Sequence, residues 1–255
     1  MMNKVKTPAE AERLRTSGGI LAEVLRRLVA VLEPGQTTGF LGDLATKEMA
    51  ALGGKPTFVG YSPDPSVPPY PATICISVND EVVHGIPGKR VIEKGDLVGL
   101  DFGVNFEGMF TDGAVTVVAG AEPTAEQARL LKATREALEL GVAEVRDGAR
   151  VGDISHAIEQ RLRRDKLGII EELSGHGVGH GIHEDPIILN YGRAGTGARL
   201  KTGMSIAIEP MATLGGRHIY VDQDGWTIRT SDGSLGAQFE HTVLVTDSGC
   251  ETLTV

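Results

Sequence analysis

Residues 97–120 read LVGLDFGVNFEGMFTDGAVTVVAG. Two apolar runs, LVGLDFGVNF at 97–106 and FTDGAVTVVAG at 110–120, flank Glu107-Gly108, and the spacing predicts two strands joined by a turn there. Each run carries one aspartate, Asp101 in the first and Asp112 in the second. A charge amid apolar strand residues is costly to bury unless it is paired or metal-bound. A hairpin turning near residue 107 would set the two carboxylates beside each other. An antiparallel sheet that bears acidic side chains is the first expectation.

Upstream, residues 8–33 form a helix candidate. Thr7 is placed to cap it, Pro8 takes its first position, and Pro34-Gly35 stops it. Ile20, Leu21, Val24, Leu25, Leu28 and Val31 follow helical spacing. A second helix is predicted from Thr37 or Thr38 to about Leu52. The stretch SPDPSVPP at 62–69 holds four prolines and reads as a surface excursion, because proline supplies no donor to a sheet. TICISV at 73–78 reads as a strand. Downstream of the hairpin, helices are predicted over 125–146, behind Thr124, and over 153–166, after Gly152. Strands follow near 169–174, 205–212 (SIAIEPMA), 218–221 (HIYV), 226–230 (WTIRT) and 239–246 (FEHTVLVT). Helices then strands, twice over, predict an α+β fold with a mostly antiparallel sheet. No linker divides the 255 residues, so one domain over 1–255 is expected.

Composition bounds the function. Hydrophobic residues make up 41% of the chain, ample for a core. Lys+Arg total 25 against 34 Asp+Glu, a net charge of −9, which argues against nucleic-acid binding because that needs a basic patch or stripe. The acidic surplus serves solubility and in part the neutralisation of bound cations. Two cysteines, Cys75 and Cys250, make no disulfide framework and suit a reducing cytoplasm. No run approaches the ~18 apolar residues of a membrane helix. The start, MMNKVKTPAEAERLR, has no apolar segment of signal-peptide type. A cytoplasmic protein without a membrane partner is expected.

Residues 175–186, GHGVGHGIHEDP, concentrate three histidines among four glycines. Imidazole is the commonest metal ligand near neutral pH. At about 1 kcal/mol each against alanine, the glycines oppose a helix. An extended reading puts His176 and His180 on one side and His183 on the other, so any metal site must recruit ligands from elsewhere. Glu209 interrupts the apolar run SIAIEPM just before Pro210, and Glu240 opens FEHTVLV. With Asp101, Asp112 and one histidine these form a mixed oxygen and nitrogen donor set suited to Mn, Fe, Co or Zn. Four carboxylates exceed the need of one four-coordinate ion. Bridging carboxylates would hold two ions ~3.5–4 Å apart. His180 reads as a supporting or surface histidine, and His241 as pointing away from Glu240 on the opposite strand face.

Taken in order, VNDEVVHGIP with His84, LDFGV with Asp101, TDGA with Asp112, GHGVGHGIHEDP with His176, IEPM with Glu209 and FEHT with Glu240 resemble the type I methionine aminopeptidases of the M24 metallopeptidase family. The resemblance runs over essentially the whole chain. It implies the "pita-bread" fold, a pseudo-twofold curved antiparallel sheet flanked by helices. It implies removal of an N-terminal methionine from nascent proteins when the next side chain is small. Two divalent ions, drawn from Co, Mn, Fe, Zn or Ni, are implied as cofactors. Asp101 and Asp112 match ligands of one ion, with Asp112 bridging; His176 and Glu209 match ligands of the other, and Glu240 matches the second bridge. His84 matches a histidine that meets the substrate backbone near the scissile amide, and His183 one that contacts the scissile carbonyl and steadies the oxyanion. The implied chemistry is attack of a metal-bridging hydroxide, with Glu209 carrying the proton to the leaving amine. Tyr61, Tyr70, Cys75 and Trp226 match the methionine pocket, with Phe58 and Ile182 at neighbouring apolar positions. A monomer, with transient contact to the ribosome, completes what the resemblance implies. Two readings compete with it: an Xaa-Pro aminopeptidase or dipeptidase of the same fold, and a non-catalytic module that kept the fold.

Overall fold

A computed structural model of the chain describes residues 4–255. Helix α1 (Pro8–Val31) starts where the sequence places it. The Thr7 side chain accepts from the Glu10 N–H, and the Glu10 carboxylate accepts from the Thr7 N–H, a reciprocal cap. The helix stops two residues before the expected end. Leu32 is already extended, and Glu33 precedes Pro34, a position from which the helical region is disfavoured. Helix α2 (Thr38–Ala51) is capped by Thr37. Strands β1 (Lys55–Pro56), β2 (Cys75–Val78) and β3 (Glu81–Val83) lead to β4 (Leu97–Phe106) and β5 (Met109–Val118). These last two are the expected hairpin, paired from Leu97–Val118 down to Phe106–Met109. Glu107 and Gly108 both have positive φ, 48° and 84°, as a two-residue turn matched to strand twist requires.

The second half repeats the plan. Helix α3 (Ala125–Ala143) carries a Thr124–Gln127 capping box and ends at Glu144, short of residue 146. Helix α4 (Val151–Arg164) begins two residues earlier than expected, with the Arg150 N–H donating to the Asp153 carboxylate. Strands β6 (Gly168–Ile169), β7 (Ser174–Gly177), β8 (Glu184–Leu189), β9 (Ser205–Ile208) and β10 (Met211–Thr213) follow. The predicted 205–212 strand is thus two. Pro210 cannot donate to the ladder, so the chain leaves the main sheet after Ile208. Then come β11 (Ile219–Val221), β12 (Ile228–Thr230), β13 (Gly236–Gln238), β14 (Glu240–Val245) and β15 (Cys250–Thr252).

The main sheet runs β1-β4-β5-β14-β9-β7-β8, with β2 on β4 and β15 on β14, and its ladders are antiparallel. Helices α1 and α2 pack Leu21, Val24, Leu28, Leu41 and Met49 against Leu100 and Phe102. Helices α3 and α4 pack Leu130, Ala137, Ile154, Ile158 and Leu162 against Ile206, Ile208 and Val243. Each fully buried Val, Leu, Ile, Met or Phe side chain among these is worth ~1.5–3 kcal/mol. The fold is therefore the expected α+β pita-bread arrangement, two helix pairs backing a pseudo-twofold sheet. β5 and β14 join the halves, through the pairs Ala114–Glu240 and Gly113–His241. No helix of the described residues is long and apolar enough to cross a membrane.

Candidate metal centre and peptide pocket

Strand register assembles the acidic cluster. Asp101 pairs with Ala114 and Asp112 with Gly103, so the two aspartates are diagonal neighbours on one face of the hairpin. Glu240, the first residue of β14, also pairs with Ala114. His176 pairs with Ala207 on β9, and Glu209 stands two residues further along the same chain. The His176 Nε2 lies 3.5 Å from Glu209 Oε1 and 3.9 Å from Asp112 Oδ2. The His176 Nδ1 meets the Gly177 carbonyl at 2.9 Å, which leaves Nε2 with its lone pair toward the carboxylates. Three donor triads result, Asp101–Asp112–Glu240, His176–Glu209–Glu240 and Asp112–His176–His183, each with ligand atoms within 4.8 Å of one another. The first two share Glu240.

Electrostatics shows what this cluster lacks. All five side chains line one cavity of about 290 Å³, and among the described residues no lysine or arginine lines it with them. Burial pushes the Asp101 carboxyl up to about 7. Burial, and then the neighbouring carboxylates, raise Asp112, Glu209 and Glu240 well above the usual carboxylate range. Burial, and then His183, hold His176 down to about 3, so it is a neutral imidazole. The Asp101 Oδ1 and Glu240 Oε1 are buried without a hydrogen-bond partner. Three buried carboxylates and a partly buried fourth at Glu209, orphaned oxygens and a neutral imidazole lack a positive charge at their centre. Divalent cations fit that deficit and this donor chemistry.

His84 follows β3 with φ 61°, a left-handed conformation that a non-glycine residue adopts at a cost of order 1–3 kcal/mol. Burial, and then the charge of His183, lower its pKa to about 4. His183 also lines the cavity; it stays partly open to solvent, and the protein packed around it lowers its pKa to about 4. Its ring is 4.4 Å from that of His176 and 5.0 Å from that of Tyr61, centroid to centroid. This corrects the extended reading of residues 175–186. Strand β7 ends at Gly177, and Gly179 has φ 141°, so alternation does not carry through to residue 183. His176 and His183 face the same space. His180 turns away and meets Glu10 at 2.9 Å. His241, as expected, lies off the cavity and contacts Thr254.

The aromatic residues form the apolar wall. Tyr70, Cys75 and Trp226 are buried together, with Phe58 and Tyr61 packed on them. Tyr70 meets Trp226 edge-on at 5.1 Å, and Trp226 meets His84 edge-on at 6.0 Å. The proline-rich stretch belongs to this wall. Pro63 lines the cavity, and the Pro68 carbonyl accepts the Trp226 indole N–H at 2.7 Å. Ile182 is buried next to the site but does not line the cavity. Sequence reasoning missed Gln238, whose amide reaches Glu209 Oε2 at 3.4 Å and Glu240 Oε2 at 3.5 Å. It also missed Thr242, whose hydroxyl holds both the N–H and the carbonyl of Asp112 at 2.8 Å. The signal for both was position, one two residues before Glu240 and one two after.

Comparison with known proteins agrees with this geometry. The description of metallopeptidase family M24 matches residues 12–247. The chain is 44% identical to the methionine aminopeptidase of Aquifex aeolicus over 96% of both chains, and 39% identical to methionine aminopeptidase 1 of Bacillus subtilis over 98% of both. The crystal structure of methionine aminopeptidase from Thermotoga maritima superposes with a TM-score of 0.94 at 41% identity, covering 99% of each chain. With its acidic cluster, its neutral histidines and its full-length relatives in agreement, the chain belongs to metallopeptidase family M24, among the methionine aminopeptidases.

Proposed function

We propose that this chain is a metal-dependent aminopeptidase that removes the N-terminal methionine of nascent proteins when the second residue is small. The observation that carries the reading is the pair of donor triads sharing Glu240 beside a closed aromatic wall. In this proposal Asp101, Asp112 and Glu240 would hold one divalent ion and His176, Glu209 and Glu240 a second, with Asp112 available to both. Such ions, when bound, acidify the attacking water and polarise the carbonyl under attack.

The chain's own groups do the rest. Phe58, Tyr61, Tyr70, Cys75 and Trp226 take the methionine side chain, which prefers an apolar wall. His84, neutral at pH 7, hydrogen-bonds the substrate backbone next to the scissile amide. His183 donates to the scissile carbonyl oxygen and steadies the charge that develops there. Glu209 takes the proton of the attacking water and delivers it to the leaving nitrogen. All 255 residues act as one catalytic domain, as a cytoplasmic monomer that meets its peptides at the ribosome. The balance of charge and the two free cysteines support that setting.

Steady-state hydrolysis of Met-Ala-Ser and Ala-Pro tests the reading, with Mn²⁺ or Co²⁺ added to metal-stripped protein. Methionine release that depends on the metal and exceeds Ala-Pro cleavage is expected. Faster cleavage of Ala-Pro would overturn the substrate, and a folded protein inactive with either ion would favour a non-catalytic module.

A further inference from the structure

A second polar cluster, outside the cavity lining, ties the start of the chain to the loop that ends in His183. That loop, residues 178–183, connects β7 to β8 and has no regular ladder of its own. Its backbone is held by side chains and by a neighbouring strand. The Glu184 Oε1 accepts the N–H of His180 at 2.6 Å and that of Gly181 at 2.9 Å. The Val178 carbonyl accepts the Ser205 hydroxyl, and the Gly179 carbonyl accepts the Phe110 N–H.

The N-terminal arm completes the arrangement. Lys6 places its Nζ 3.5 Å from Glu184 Oε2, and both side chains are wholly buried. The Lys6 backbone N–H donates to the Gly203 carbonyl at 2.8 Å, so the arm itself is fixed. The Lys6 stem lies directly on the loop: a Cβ added at Gly179 would overlap its Cε and Nζ. Four residues on, the carboxylate of Glu10 meets the His180 Nε2 at 2.9 Å while it also caps α1. A buried ion pair is weak evidence of stability, because desolvation offsets its attraction, but it fixes the geometry of the groups around it. Here those groups are the two N–H donors that shape the loop and the residue that follows His183.

We infer that Lys6 and Glu10 are positioning residues for His183, acting through Glu184 and His180, so that the N-terminal arm is part of the catalytic apparatus. The inference rests on the role proposed for His183 at the scissile carbonyl. A loop end displaced by a fraction of an ångström leaves the histidine in place but off the line of the developing charge. The described contacts of Lys6 and Glu10 reach Glu184, His180 and Gly203 rather than the five candidate ligands, so metal content and KM are expected to stay unchanged when the two are altered.

The test uses the full chain reloaded with Mn²⁺, with Lys6→Met, Lys6→Arg and His180→Ala made alone and each combined with His183→Ala. The readouts are kcat and KM on Met-Ala-Ser and manganese bound per chain. Lys6→Met is expected to lower kcat about tenfold at unchanged KM and manganese content, well within the cost of a 1 Å misplacement. Lys6→Arg is expected to recover most of that loss. In the His183→Ala background, Lys6→Met should cost about nothing further, the signature of two residues acting as one unit. Should Lys6→Met fail to fold, His180→Ala, which leaves the Lys6–Glu184 pair intact, carries the same comparison with an expected loss of about threefold. A wild-type kcat, a loss carried mainly by KM, or the same loss repeated in the His183→Ala background would overturn the inference. Wild-type turnover in His183→Ala itself would overturn the role given to that histidine, and the catalytic meaning of the arm with it.

Discussion

Asp101→Asn offers the sharpest physical test of the acidic cluster, because it has opposite consequences with and without metal. In the metal-stripped chain the Asp101 carboxyl is raised from 3.8 to about 7 by burial. The folded state therefore binds its proton more tightly than the unfolded state. Its contribution is fully favourable below pH 3.8 and is lost as pH rises to about 7. Burying the carboxyl costs about 4 kcal/mol at pH 8, where it is ionised in the fold, and about 2 kcal/mol at pH 5, where the fold must first protonate it, at about 1.36 kcal/mol per unit. An amide of the same shape carries no such cost, and it removes the Asp101 charge that helps raise Asp112, Glu209 and Glu240. Without metal, Asp101→Asn should be more stable than the parent by up to about 4 kcal/mol at pH 8, or roughly 8–16 °C in Tm. The gap should shrink by about half at pH 5. His84, whose lowered pKa destabilises the fold as pH falls from 6.5 to about 4, acts with the opposite sign in both proteins and cancels in the difference. With saturating Mn²⁺ the order should reverse, because the parent gains binding free energy that the variant has lost. Calorimetry with EDTA and with Mn²⁺ at the two pH values reads all four numbers. A variant no more stable than the parent at pH 8 without metal, or a gap that ignores pH, would refute the reasoning.

Three further outcomes are expected. His183→Ala should lower turnover about 10²–10³-fold, the cost of one removed oxyanion donor, and His84→Ala should lower it through lost positioning of the substrate backbone, both at unchanged metal content; equal loss of metal, read by elemental analysis, would contradict the roles given to them. Asp112→Ala and Glu240→Ala should each release both ions together in an equilibrium metal titration, whereas retention of one tight ion with normal activity would contradict shared ligation. Trp226→Phe keeps a ring against Tyr70 but leaves the Pro68 carbonyl without its donor, so stability should fall by about 1 kcal/mol and KM for methionyl peptides should rise; an unchanged KM would detach the proline-rich stretch from the pocket.

The hairpin and the donor residues were legible because each breaks a strong local rule. Asp101, Asp112 and Glu209 interrupt apolar runs, Glu240 opens one, and such charges need a partner. Glu107-Gly108 marks the turn, and Thr7 and Thr124 mark helix starts through side-chain caps. What stayed hidden has equally physical causes. The three-residue strands around β3 and β13 are too short to show a period. The facing of His176 and His183 depends on a loop whose shape is set by Glu184 and by Lys6, 178 residues away in the chain. Gln238 is a neutral amide, and nothing local distinguishes it until β13 and β14 are seen to bring it to two carboxylates.

The seam between the halves deserves a mechanical reading. Its ladder is two residue pairs long, lengthened by the Thr242 hydroxyl clasping the Asp112 backbone. Asp101 and Asp112 stand on one bank, and His176, Glu209 and Glu240 on the other. Bare, the raised carboxyls hold protons at neutral pH; a cation gripped from both sides would displace those protons and tie the banks together. Chelation would thus remove the chemistry and, in the same act, one of the ties across the seam.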